Sequence, residues 1–142
     1  MKKVRDILQI KGREVWSIGP NESVFDALKL MAEKGVGALV VLEVSKVVGI
    51  ISERDYARKV ILHGRSSPTT RVSEIMTTRV AYAQPQQNID ECMAIMTEKR
   101  IRHLPVMEEG CLVGVISIGD LVKSIITEQQ FIIEQLERYI TT

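Results

Sequence analysis

One tryptophan, three tyrosines and two phenylalanines are the only aromatic residues among 142, and the chain has just two cysteines and four prolines. Two thiols cannot form a disulfide framework and suit a reducing, cytoplasmic setting. No apolar run approaches the roughly 20 residues a membrane span needs. The basic start Met1-Lys2-Lys3 is not followed by the apolar segment of a signal peptide, so neither membrane nor export is expected. The net charge is +1, and a broad nucleic-acid surface would need a basic excess. Catalytic signatures are missing as well. His63 and His103 are the only histidines, and the chain has neither Cys/His metal spacing nor a nucleophile elbow nor a Walker-type phosphate loop. Cys92 falls on an apolar helix face and Cys111 in a hairpin with acidic neighbours, where nothing would activate a thiol. An enzyme is therefore not expected. What remains, 45% hydrophobic and 26% charged, is the composition of an ordinary globular protein.

The chain does contain a repeat. Gly49-Ile50-Ile51-Ser52-Glu53-Arg54-Asp55 returns as Gly114-Val115-Ile116-Ser117-Ile118-Gly119-Asp120, 65 positions later. The register holds from Val15/Val80 through Pro20/Pro85, Met31/Met96 and Leu39/Leu104 to Ile61/Ile126. Upstream, Val4-Arg5-Asp6-Ile7-Leu8-Gln9 is echoed by Val72-Ser73-Glu74-Ile75-Met76-Thr77 at a shift of 68, so the first copy has three extra residues around Lys11-Gly12-Arg13. Copies of about 60 residues are near the lower limit for folding alone, so the two should need each other. They predict a pseudo-two-fold pair with a ligand seam.

Each copy reads strand, helix, strand, hairpin, strand, helix. Val15–Ile18 and Val80–Ala83 are short strand candidates closed by Pro20 and Pro85. Ser23 and Asn88 are N-cap candidates for helices whose inner faces are Val24, Ala27, Leu28, Met31 and Ile89, Cys92, Met93, Met96. Ala38–Leu42 and His103–Met107 are buried-strand runs, each returning through a hairpin. Pro105 implies an edge position or a break in pairing. A second helix follows Ser52 or Ser117, with Tyr56, Val60, Ile61 or Leu121, Ile125, Ile126 expected to face inward. The polar stretch at 66–71 reads as a linker. The tail from Thr127 is an amphipathic helix with Phe131, Ile132, Leu136, Tyr139 and Ile140 on one face, packed on its own module or against a second copy.

The chemistry concentrates at the Gly-apolar-apolar-Ser-x-x-Asp junctions. Serine at a helix start, with free amide groups beside it, suits a phosphate oxygen. Aspartate one turn on can accept hydrogen bonds from a ribose diol. The simpler alternative is local: Ser52 and Ser117 as N-caps, with Asp55 and Asp120 completing a capping box. Duplication of both residues tips the choice toward a site. Arg102 and His103 lead into a buried strand, where phosphate is a natural partner for the guanidinium fork. The first copy has Gly37 and Ala38 there instead, but carries Arg54 where the second has Gly119. Unequal binding by the two copies follows.

With RIRHLPV, LVGVISIGDLV, VGIISERDY and VSEIMT in place, the chain resembles a tandem pair of CBS domains, a Bateman module, of the stand-alone bacterial kind. The resemblance spans Val4 to about Ile126. It implies an α/β fold of two β-α-β-β-α repeats plus a C-terminal helix, divided as 1–65, a linker at 66–71, 72–126 and a helix at 127–142. It implies an energy-sensing regulatory module, a homodimer coupled to a regulated protein, with AMP, ADP, ATP or NAD in the cleft between the repeats. The site residues it implies are Ser117, Asp120, Arg102, His103, Ser52, Asp55 and Arg54, with Val80 and Pro105 among the adenine contacts. The competing expectations are an interaction module without nucleotide and, behind it, a nucleotide-processing enzyme.

Overall fold

Side-chain caps set the starts of four of the helices and two-residue turns join the paired strands. The computed structural model describes residues 2–141; the outermost residues of the expected first repeat and tail, Met1 and Thr142, lie outside that range. The order is α1 (Val4–Lys11), β1 (Ser17–Ile18), α2 (Val24–Lys34), β2 (Ala38–Glu43), β3 (Lys46–Ser52), α3 (Glu53–Lys59), α4 (Val72–Ile75), α5 (Ile89–Lys99), β4 (His103–Glu108), β5 (Cys111–Ser117) and α6 (Ile118–Thr141). Ser23 Oγ accepts the Asp26 amide at 3.0 Å and Asn88 Oδ1 accepts that of Glu91 at 2.9 Å. Both caps thus occupy positions chosen by short polar side chains.

The chain divides into two compact units. One is Glu14–Ala81; the other joins α1 to the chain from Tyr82 onward. The leading helix of each copy therefore belongs to the unit built by the other copy. The ties are matched: Val4 and Arg5 amides donate to Gln87 and Pro85 carbonyls at 2.9 and 3.0 Å, while Val72 and Ser73 donate to Glu22 and Pro20 at 2.8 and 2.9 Å. The stretch expected as a linker, 66–71, lies within the Glu14–Ala81 unit. Thr70 is buried and its carbonyl accepts the Val24 amide at 2.8 Å.

In the Glu14–Ala81 unit the sheet order is β1-β2-β3, with β1 parallel to β2 and β2 antiparallel to β3. The other unit keeps the β4-β5 hairpin, but its leading strand shrinks to one bridge, Ala83 to Val106. Proline explains the loss. Val40 donates its amide to Trp16 at 3.3 Å, and Pro105, at the matching position, has no N–H to give. The hairpins turn through residues with positive φ: Val44 at 48° and Ser45 at 64°, then Glu109 at 51° and Gly110 at 78°. Such two-residue turns match the twist of the strands they join.

Val24, Ala27, Met31, Leu39, Val41, Ile51, Val60, Val72 and Ile75 form the core of the Glu14–Ala81 unit. In the other unit Val4, Ile7, Leu8, Ile89, Cys92, Met96, Leu104, Val106, Ile116 and Leu121 are buried. The inward assignments for Ile61 and Ile126 do not hold: both are exposed. Helix α3 stops at Lys59, and the following 3₁₀ turn ends at Gly64, whose φ is 69°. The second copy has Gln129 at the position of Gly64, and there helix and tail run on as a single 24-residue α6. Its distal apolar residues, Phe131, Ile132, Leu136, Tyr139 and Ile140, are exposed rather than packed on their own module.

Two glycines let the leading helices come close. A Cβ on Gly114 would lie 2.7 Å from Leu8 Cδ2, the end of a flexible side chain, whereas one on Gly49 would meet Met76 Sδ at 2.7 Å and the Thr77 carbonyl at 2.9 Å. That carbonyl is held by the Ile50 amide at 3.0 Å and cannot yield without loss of the bond. Gly49→Ala is therefore expected to cost about 1–3 kcal/mol and Gly114→Ala less. Chemical denaturation of the two variants measures the order, and equal midpoints would contradict it.

Candidate functional site: two carboxylates at helix starts

Strands β3 and β5 each end in a serine whose helix begins at the next residue, and in both copies the capping box forms. The Ser117 amide donates to Asp120 Oδ2 at 2.8 Å, and Ser117 Oγ accepts the Asp120 amide at 3.1 Å. The Ser52 amide and hydroxyl donate to Asp55 Oδ2 at 2.9 and 3.1 Å, and Ser52 Oγ accepts the Asp55 amide at 3.3 Å. Each box satisfies helix donors that would otherwise be unpaired. The local capping alternative is thus realised at both corners, and any ligand must use carboxylates already held in place.

Each carboxylate also meets a lysine. At Asp55 the lysine is Lys59, one turn along α3, at 3.4 Å, which also donates to the Ile75 carbonyl at 2.9 Å. At Asp120 it is Lys11, the last residue of α1, at 2.6 Å, which also donates to the Val115 carbonyl at 2.8 Å. The Asp120 side chain keeps 23% of its accessible surface and Lys11 keeps 38%, so this ion pair faces solvent. Lys11 lies in the stretch where the repeat shift changes from 68 to 65. That break in register was the available signal for it.

The expected site residues fall into two groups. Ser117, Asp120, Arg102, His103 and Pro105 stand in the unit that contains α1; Ser52, Arg54, Asp55 and Val80 stand in the other. His103 opens β4 half-buried and Arg102 before it is exposed. The Arg102 carbonyl accepts the Ile118 amide at 2.8 Å, as Gly37 accepts that of Glu53 at 3.1 Å. The two corners therefore share a backbone design while differing in charge. Gly35 and Gly37 line a cavity of about 310 Å³ with Leu28, Met31, Ala32, Val36 and Glu53, at the start of α3. In the other unit the matching positions are Arg100 and Arg102, and Arg100 adopts a left-handed φ of 55°, strained for a residue with a Cβ. Val80 is half-buried outside any strand, and Pro105 is buried within β4.

Electrostatics at the Asp120 corner follow from these neighbours. Burial raises the Asp120 pKa, but the Lys11 hydrogen bond, the Ser117 amide and the Lys11 charge outweigh it, and the net shift is downward. The His103 pKa is lowered, first by burial, then by Lys11 and Arg102, against an opposing pull from Asp120. Burial, then the charge of Glu91, pushes the Cys92 thiol up to about 11, so Cys92 is a core residue. Among the described residues, no cluster of three or more His, Cys, Asp or Glu could hold a metal ion, and no helix is long and apolar enough to cross a membrane.

Comparison with known proteins places this geometry. The CBS domain family matches residues 4–62 and 72–127. The chain is 56% identical to a putative signal-transduction protein with CBS domains from Burkholderia ambifaria, with a TM-score of 0.88 over 90% of this chain and 96% of that one. It is 37% identical to the mitochondrial CBS domain-containing protein CBSX3 of Arabidopsis thaliana, over 96% of this chain and 71% of the relative. The CBS domain pair of protein MJ0100, in complex with 5′-methylthioadenosine and S-adenosyl-L-methionine, shares the fold at 24% identity and a TM-score of 0.80, covering 90% of this chain and 98% of that one. The chain belongs to the CBS domain family and is a tandem CBS pair, the class of regulatory ligand-binding module.

Because the native His103 pKa lies below the ordinary imidazole value, folding disfavours its charged form. That contribution is complete above the unfolded value of about 6.5 and is lost as pH falls through the lower native one. Lys11→Met removes one of the charges that depress it. The His103 pKa should then rise, as measured by NMR titration of the imidazole carbons; an unchanged titration would show that Lys11 does not act on His103.

Proposed function

We propose that this CBS pair is a non-catalytic, cytoplasmic regulator that binds an adenine nucleotide, AMP, ADP, ATP or NAD, at its hydroxyl-and-carboxylate helix starts. The observation that carries the reading is the Asp120 corner: a carboxylate fixed by Ser117, partly open to solvent, paired with Lys11 and felt by the half-buried His103. A ribose diol can donate to the carboxylate, while the Lys11 ammonium complements phosphate. Ser52 and Asp55 offer the same hydroxyl and carboxylate, with Arg54 and Lys59 as their cations, and the two corners are expected to bind unequally. Val80 and Pro105 remain the proposed adenine contacts. The MJ0100 pair supports the ligand class only as an example of what this fold can hold.

Isothermal titration calorimetry with the four nucleotides tests the reading. At least one should bind, and Asp120→Ala should weaken it roughly 10- to 100-fold, as expected for loss of hydrogen bonds to a charged group. Absence of heat or thermal shift with the whole panel would remove the nucleotide reading and leave an interaction module.

The exposed face of α6 favours a homodimer as the regulator's working form. Val122, Ile125, Gln129, Ile132, Leu136 and Tyr139 follow a three-four spacing, flanked by Ile126, Ile133 and Ile140, the pattern of a helix seam with one polar position. Ile132→Lys combined with Leu136→Lys should halve the mass measured by light scattering. A monomeric unaltered chain would contradict the dimer.

A further inference from the structure

The two corners hold their carboxylates with lysines from different places. In the Glu14–Ala81 unit the cation comes from the carboxylate's own helix, since Lys59 bridges Asp55 and the Ile75 carbonyl. The position matching Lys59 is Ser124, buried and with its hydroxyl unpartnered among the described residues. That position therefore offers Asp120 no cation. The three-residue register break lengthens the leading helix instead: α1 has eight residues where its counterpart α4 has four. The added turn ends at Lys11, whose ammonium lies 2.6 Å from Asp120 Oδ2 and 2.8 Å from the Val115 carbonyl.

That contact sets a condition on any ligand of this corner. A diol that takes Asp120 Oδ2 competes with the ammonium for the same oxygen. A phosphate near the diol can accept the displaced ammonium in a charge-assisted bond. A neutral nucleoside leaves it with the Val115 carbonyl alone. A cationic substituent is repelled by Lys11.

We propose that Lys11 is the specificity-determining residue of the Asp120 corner, selecting adenosine ligands that carry phosphate next to the ribose over the uncharged nucleoside. The inference rests on the nucleotide reading and sharpens it from adenosine in general to its phosphorylated forms. Lys11 works by exchange: it leaves the carboxylate as the diol arrives and takes the phosphate. Lys59 has no such role at Asp120, because it belongs to the other corner.

The test compares adenosine with AMP on the unaltered chain, Lys11→Met, Lys11→Arg and Lys59→Met. Binding is followed on the His103 imidazole resonances, which report this corner alone. Lys11→Met should reduce the AMP-to-adenosine affinity ratio roughly tenfold. Lys11→Arg should restore most of it, and Lys59→Met should leave it unchanged. An unaltered ratio in Lys11→Met, or equal weakening of both ligands, would overturn the selectivity while leaving nucleotide binding intact. If neither ligand perturbs His103 in the unaltered chain, the nucleotide reading of this corner falls and the selectivity falls with it.

Discussion

The capping box at the end of each returning strand is the interaction on which both fold and site depend. A strand that becomes a helix within one residue leaves several amide groups without partners, and Ser-x-x-Asp satisfies two of them with its own side chains. The same geometry fixes a carboxylate at a helix start, with its rotamer set by the Ser117 amide at 2.8 Å. Stability and recognition are therefore not competing explanations for Asp120. A group already oriented by the fold loses less freedom when a ligand arrives, which is the physical meaning of a preorganised site. The requirement is that some polar surface remain available, and the solvent-facing Lys11–Asp120 pair meets it.

Most of the fold was legible in the residue pattern because the repeat samples each element twice. The inner face of α2, Val24-Ala27-Leu28-Met31, and that of α5, Ile89-Cys92-Met93-Met96, are buried or half-buried in step, position by position. The hairpin turns and both N-caps lie where polar and turn-forming residues put them. What the pattern left out was context. Nothing local distinguishes Val60, which is buried, from Ile61, which is exposed; only the end of α3 decides that. Nor could the spacing reveal that α1 joins the later unit, because the ties from Val4 and Arg5 to Gln87 and Pro85 are backbone bonds indifferent to side-chain identity. The tail looked separate from the repeat by sequence, yet no breaker stands between Ile126 and Thr127, and one helix runs through.

The corners themselves were half legible. Serine and aspartate appear as a motif because their spacing along one chain segment creates their contact. Lys11 is 109 residues from Asp120, and its role depends on which helix packs where. A register break had marked its neighbourhood without saying what it does. Lys59 stood in plain view, four residues after Asp55, but a surface lysine one turn from an aspartate is ordinary in helices and contributes little by itself. It acquires meaning only beside the Ile75 carbonyl it also reaches.

Duplication followed by divergence explains why the two corners differ as they do. Symmetry preserves what the backbone requires: the glycine under the leading helix, the amide-to-carbonyl bond from Glu53 or Ile118, and the capping box. Charge is free to drift, since a cation can reach a fixed carboxylate from either of two elements. One corner kept small residues, Gly35 and Gly37, and with them an open cavity. The other filled those positions with Arg100 and Arg102 and drew Lys11 from a neighbouring helix. The corners thus differ in kind, a cavity of mixed polar and apolar lining near one and an ion pair drawn from a distant helix at the other.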